Sequence, residues 1–171
     1  MRKPRILDKL DRKLLNLLQK DNLLPTSELA QKAHISQPTC LRRVRALRES
    51  GVISANVAMV DPFDLGYGMM AFLEVSLTNQ SDEHMQAFEA RMQREPEVLQ
   101  CYFVSGDYDY FLVVHVLDMN AYYQFVRRVI SGSGNVRNFQ SRFPMKRAKF
   151  STRIAFDEKA AELEVGGKGG A

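Results

Sequence analysis

The chain has 171 residues, 24 Lys/Arg against 20 Asp/Glu, 45% hydrophobic content and two cysteines, which allows one ordinary domain or two small ones with real cores and argues against a disulfide framework or a thiolate metal site. No apolar run approaches the roughly 20 residues of a membrane span, and the N-terminal stretch mixes charge with leucine where a signal peptide would be uninterrupted, so a soluble, cytoplasmic protein with no membrane partner is expected. The charge is unevenly divided: residues 1–60 hold 12 Lys/Arg against 5 Asp/Glu, and residues 61–171 hold 12 against 15, a pattern that points to an N-terminal module facing a polyanion.

Leu7, Leu10, Leu14, Leu17 and Leu18 recur at helical spacing and predict a first amphipathic helix ending near Asp21-Asn22. Pro25-Thr26-Ser27-Glu28 opens a short second helix with Leu29, Ala30 and Ala33 buried, which stops at about His34. Ser36 can cap a third helix, Pro38 is tolerated in its first turn, and Gly51 closes it. Two helices joined by a turn of about three residues, then the strand-like GVISANVAMV, make the pattern of a helix-turn-helix with an extended exit.

On the third helix Cys40, Leu41, Val44 and Leu47, at i, i+1, i+4 and i+7, are the apolar positions and predict the buried face, which turns Gln37, Thr39, Arg42, Arg43 and Ala46 largely outward. A solvated charged face is the plain alternative. Such a face usually mixes Glu with its Arg at i, i+4 spacing, whereas Glu49 is the only acid between residues 29 and 60. Unpaired arginines on a helix-turn-helix suit phosphates and base edges of double-stranded DNA. The predicted contacts are Gln37, Thr39, Arg42 and Arg43 in the major groove, with Ser36 and the nearby Arg45 at phosphates.

The turn-rich DPFDLGYG marks a linker over residues 61–68. Beyond it the segments run strand (Met69–Leu77), helix (Met85, Phe88, Met92), a hairpin of Val98–Ser105 and Tyr110–Leu117, helix (Met119, Tyr122, Tyr123, Val126, Ile130) and strand (from Val136). That is the ferredoxin-like βαββαβ order, so the fold class expected is α+β. Two helices cover one sheet face, yet in Tyr110–Val116 both alternating sets are apolar or nearly so. The second face is therefore expected to be buried too, most simply by another copy of the chain. His115 reads as a core or interface residue, because no ligand trio accompanies it.

The stretches LDKLDRKLLNLLQKD at 7–21, SELAQKAHISQPTCLRRVRALRESGVI at 27–53 and VSGDYDYFLVVHVLDMNAYYQF at 104–125 resemble the leucine-responsive and asparagine regulator (Lrp/AsnC, or feast/famine) family of transcription factors. The resemblance spans roughly residues 6–156. It implies a helix-turn-helix domain over 1–60 and a ferredoxin-like effector-binding and oligomerisation domain over 69–156, while residues 157–171 fall outside it and by their Gly/Ala/Glu composition read as a flexible tail. It also implies homo-oligomers, a dimer and then an octamer built as a tetramer of dimers, and a free amino acid as effector in place of any cofactor.

By itself Ser105-Gly106-Asp107-Tyr108-Asp109 reads as a β-turn. In the family the corresponding loop lines a ligand cleft between subunits. There the backbone N–H groups near Gly106 could take an α-carboxylate and Asp107 or Asp109 an α-ammonium. Asp118 reads as a helix N-cap, while the resemblance places it near the same cleft. Met69, Met70, Phe103, Phe143 and Met145 offer an apolar wall that favours leucine or methionine over amidated or charged amino acids. No catalytic constellation is visible: there is no nucleophile with a matched base, no phosphate loop and no metal-spaced cluster. The alternative to a regulator is a DNA-architectural protein with little effector control.

Overall fold

The computed structural model describes residues 5–157 and 163–165, which fall into two units. One holds residues 5–58 together with the returning chain at 150–157 and 163–165, and the other holds residues 59–149.

The first unit begins with a short strand, β1 (Arg5–Leu7), and three helices, α1 (Lys9–Leu18), α2 (Thr26–Ala33) and α3 (Gln37–Glu49). Each helix starts or stops where local chemistry dictates. Asp8 caps α1, its carboxylate accepting from the Asp11 N–H at 2.8 Å. Ser36 caps α3 by accepting from the Thr39 N–H, with Pro38 in the first turn, where its missing N–H costs nothing. His34 ends α2 in the left-handed region at φ 60, one of the few non-glycine types that tolerate it, and the turn His34–Ser36 redirects the chain into α3. Leu14, Leu29, Ala30, Ala33, Cys40 and Val44 form the core between the helices.

A smaller cluster joins Leu7, Leu15 and Leu47 to Val52, Ile53 and Phe156. Phe156 belongs to the returning segment, which lies along α1. The Gln19 side-chain amide meets the Ile154 backbone twice, accepting from its N–H at 2.8 Å and donating to its carbonyl at 3.1 Å. Arg12 donates to the Asp157 carbonyl at 3.2 Å, and the last strand, β6 (Leu163–Val165), pairs antiparallel with β1. The boundary expected near 156 thus moves back to about 150, because residues 150–157 find their hydrogen bonds and apolar contacts on the helices. Of the tail expected at 157–171, residues 158–162 and 166–171 lie outside the described residues. The strand-like stretch after Gly51 forms no ladder and runs as an unpaired connection to residue 60.

The second unit follows the predicted order: β2 (Met69–Leu77), α4 (Asp82–Met92), β3 (Val98–Phe103), β4 (Tyr110–Val116), α5 (Met119–Phe125) and β5 (Val136–Arg142). After α5 the helix continues through a π turn at Val126–Ile130 and a 3-10 turn at Ser131–Ser133. All pairings are antiparallel in the order β3-β4-β2-β5, the ferredoxin-like arrangement.

Alternation sorts the residues by face. Leu73, Val75, Tyr110, Leu112 and Val114 point to the helices and pack against Phe88, Met92, Phe125 and Val129. Met70, Phe72, Phe111 and Val113 occupy the opposite face and are only half-buried, with Phe72 and Phe111 stacked at 5.6 Å between ring centroids. No helix of the second unit packs on that face.

Candidate nucleic-acid interface and ligand loop

The registry of α3 against its own core sets which side chains are available. Cys40, Val44 and Leu47 are buried, and at about 100° per residue the opposite arc carries Pro38, Arg42, Arg45 and Glu49. Gln37, Leu41, Arg42, Arg45 and Arg48 are all exposed. Arg45 stands 3.6 Å from Glu49, a solvent-exposed i, i+4 pair of little strength, while among the described residues no acid pairs with Arg42 or Arg48. Ser36 is exposed and donates its hydroxyl to Thr39 Oγ1 at 2.8 Å, so both hydroxyls of the cap engage each other.

Two residues of this helix depart from the periodicity reading. Leu41, expected inside, is 60% exposed on the outward arc. Arg43, expected outward, turns inward. Its Nη1 donates to Asp8 at 2.7 Å and to Asp11 at 3.0 Å, with its side chain 24% exposed and that of Asp11 only 2%. Burial opposes ionisation of both partners, but the hydrogen bonds outweigh it. The Asp8 carboxyl is held below its ordinary value by the Asp11 N–H and Arg43, and the Arg43 guanidinium above its own by Asp8 and Asp11. Asp8 therefore serves α1 as cap and α3 as counter-ion at once. Arg43 ties the two helices together, and a base or phosphate would have to displace two carboxylates to reach it.

In the other unit, residues 104–109 connect β3 to β4. Gly106 adopts φ 132, a conformation that costs L side chains strain, and open space surrounds the position a Cβ would take. The two acids of the turn have different roles. Asp109 is committed to the fold: its carboxylate accepts from the Leu77 N–H at 2.7 Å and from Gln80 Nε2 at 2.8 Å, and its backbone bonds Val75 and Val104. Asp107 is exposed and has no partner. Among the described residues, none meets the N–H groups of Ser105, Gly106, Asp107 and Tyr108 in a hydrogen bond. The turn therefore presents free donors beside one free carboxylate. The Tyr108 ring leans toward Phe111, 6.5 Å between centroids, which joins the turn to the uncovered sheet face.

Asp118 and most of the apolar wall expected around this turn lie elsewhere in the chain. Asp118 caps α5, accepting from the Ala121 N–H at 2.8 Å, and it follows β4 at the end opposite the turn, about 20 Å away along the strand. Met70 pairs with His115, five residues along β4 from Tyr110, or roughly 17 Å, and Phe143 and Met145 follow β5 at that same end. Of the five residues, only Phe103 stands at the turn, its ring 5.6 Å from that of Tyr110. A seven-residue strand separates the two groups, which sequence spacing does not reveal. His115 is buried and its Nδ1 has no hydrogen-bond partner; burial and then Arg147 hold it below its ordinary value. Both cysteines are inert by environment, with burial and then Glu89 pushing the Cys101 thiol to about 11. Among the described residues no group of three or more His, Cys, Asp or Glu could hold a metal ion, and no helix is long and apolar enough to cross a membrane.

Two family models match this chain: a winged helix-turn-helix DNA-binding domain over residues 7–54 and an Lrp/AsnC ligand binding domain over residues 70–154. An HTH-type transcriptional regulator of Haemophilus influenzae is 43% identical over 86% of this chain and 88% of its own. The leucine-responsive regulatory protein of Escherichia coli K12 is 32% identical over 86% and 90%. A crystal structure of a Neisseria meningitidis transcriptional regulator in complex with L-methionine superposes with a TM-score of 0.82 at 33% identity, covering 87% of this chain and 96% of that one.

Proposed function

This chain belongs to the Lrp/AsnC family of DNA-binding transcriptional regulators, not to an enzyme family, and from that premise we propose that it reads specific operator sequences through α3 as a homo-oligomer whose DNA binding responds to leucine or methionine. It works in the cytoplasm, where its DNA would be. The observation that carries the DNA reading is the outward arc of α3: Gln37, Arg42, Arg45 and Arg48 exposed together with almost no acid to neutralise them. Gln37 and Arg42 contact base edges near the helix N-terminus. Arg45, Arg48 and the Ser36–Thr39 cap approach phosphates. Arg43 positions α3 and touches no DNA.

The effector sits at Ser105–Asp109. Its α-carboxylate takes the free N–H groups around Gly106, and its α-ammonium takes Asp107 in preference to the committed Asp109. Phe103 supplies the apolar contact from the same chain, and the remaining wall, together with Asp118, comes from a neighbouring subunit. The methionine complex of the Neisseria meningitidis structure and the leucine response in the Escherichia coli relative's name support an apolar side chain. The half-buried Phe72, Phe111 and Val113 supply the subunit contact, since burying them would remove apolar area from water at about 25 cal/mol per Å². Tyr108 touches both the turn and that face, so ligand binding would act through the assembly and thus through the spacing of the helix-turn-helix units.

Selection from a library of random duplexes tests the reading. Enrichment of a sequence with two half-sites about 34–36 Å apart is expected, with an affinity that falls steeply as salt rises. Uniform coating of any duplex would contradict it and favour an architectural role.

A further inference from the structure

Resting on the reading above, we propose that Leu41 is a specificity-determining residue of α3 that contacts the methyl group of a thymine in the major groove. Single exposed leucines are common on protein surfaces and need no explanation there. The placement of this one is different. The core side of α3 is already filled by Cys40, Val44 and Leu47, and Leu41 lies 60% exposed among Gln37, Arg42, Arg45 and Arg48. It is the lone large apolar side chain on that arc. It sits in the N-terminal half of the helix, the part that reaches base edges when a helix of this kind docks.

Base edges in the major groove offer one apolar group, the thymine C5-methyl, and apolar side chains are its usual partners. A leucine pressed on that methyl removes both from water. Pressed on cytosine it would strip water from the amino group with no acceptor to replace it. Leu41 therefore selects thymine by attraction and disfavours cytosine by desolvation, without donating or accepting a hydrogen bond.

Replacing thymine by uracil deletes the methyl and leaves every hydrogen-bonding group in place. The full chain is used to select its best duplex from a random library, and each thymine of that duplex is then replaced by uracil in turn. The parent is expected to lose roughly four-fold in affinity at one thymine of each half-site, the value of one methyl group returned to water. Leu41→Ala is expected to bind the thymine and uracil forms of that position equally, with the parent's salt dependence because no charge has changed. Its exposure predicts an unchanged thermal midpoint, which separates a lost contact from a damaged fold. Equal binding of every uracil duplex by the parent, or an undiminished uracil effect in Leu41→Ala, would overturn the assignment. A parent that enriches no sequence fails earlier, at the proposed function itself.

Discussion

Arg42 and Arg43 are neighbours in sequence about 100° apart around α3, and that rotation separates an outward guanidinium from one held by Asp8 and Asp11. Periodicity identifies Cys40, Val44 and Leu47 as the inner row and sets Arg43, three residues after Cys40, closer to it than Leu41, but side-chain polarity argues the other way. Which flank is covered depends on where α1 lies, and Asp8 and Asp11 are more than 30 residues away. The polarity pattern accordingly exchanges Leu41 and Arg43, predicting the first inside and the second outside. The two arginines should respond oppositely to substitution. Arg43→Ala leaves the buried Asp11 facing a lost cation and should cost about 2 kcal/mol in thermal or denaturant unfolding, with the salt dependence of DNA binding retained. Arg42→Ala should leave unfolding unchanged, weaken specific binding by roughly 1–3 kcal/mol and relax the preference at one base position. The same relaxed preference in Arg43→Ala would return Arg43 to the interface.

At the scale of elements, the strands of the second unit were legible almost to the residue, because alternation continues until a turn interrupts it. Met69–Leu77 stands in the structure as predicted, and β3 and β4 end two residues and one residue before the predicted ends. The turn between β3 and β4 was legible as a turn, while the division of labour between its acids was not. Only the fold brings the Leu77 N–H and Gln80 to Asp109. Asp109→Ala should cost about 2 kcal/mol of stability through two lost charge-assisted hydrogen bonds. Asp107→Ala should leave the melting midpoint in place and weaken leucine or methionine binding in calorimetry. If Asp107→Ala binds the amino acid like the parent, the ammonium contact is misplaced. The returning segment 150–157 escaped the sequence reading because its anchor is the Gln19 amide, and a polar residue at the end of a helix carries no sequence signal for such a contact.

For the whole molecule, the half-buried apolar face of the sheet is the feature with the widest consequence. The expectation of a second buried face rests on the two apolar sets of Tyr110–Val116, and the helices of the second unit cover only one of them. Phe111→Asp puts a carboxylate at the centre of the open face. Light scattering should then show a shift from the parent's oligomer to a monomer, and an unchanged mass would place the subunit contact elsewhere. His115 gives the same domain a pH signature. Its folded value lies below the ordinary 6.5, so the unfolded chain takes up the proton first. Stability is full above 6.5 and is lost as the pH falls below it toward the lowered native value. His115→Gln should flatten that part of the stability profile, and a profile identical to the parent's would remove the residue from the account.

The claim on which the rest depends is that one chain couples a DNA-reading helix to an amino-acid site in a separate unit. Titration of a fluorescent duplex, chosen by selection, with the full chain in the presence and absence of methionine, leucine, asparagine or lysine tests this directly. DNA affinity should change roughly 5- to 150-fold with methionine or leucine, the usual range of coupling between sites, should stay constant with asparagine or lysine, and should lose its response in Asp107→Ala. Five superimposable isotherms for the parent, one without ligand and one with each amino acid, with the duplex still bound specifically, would contradict it.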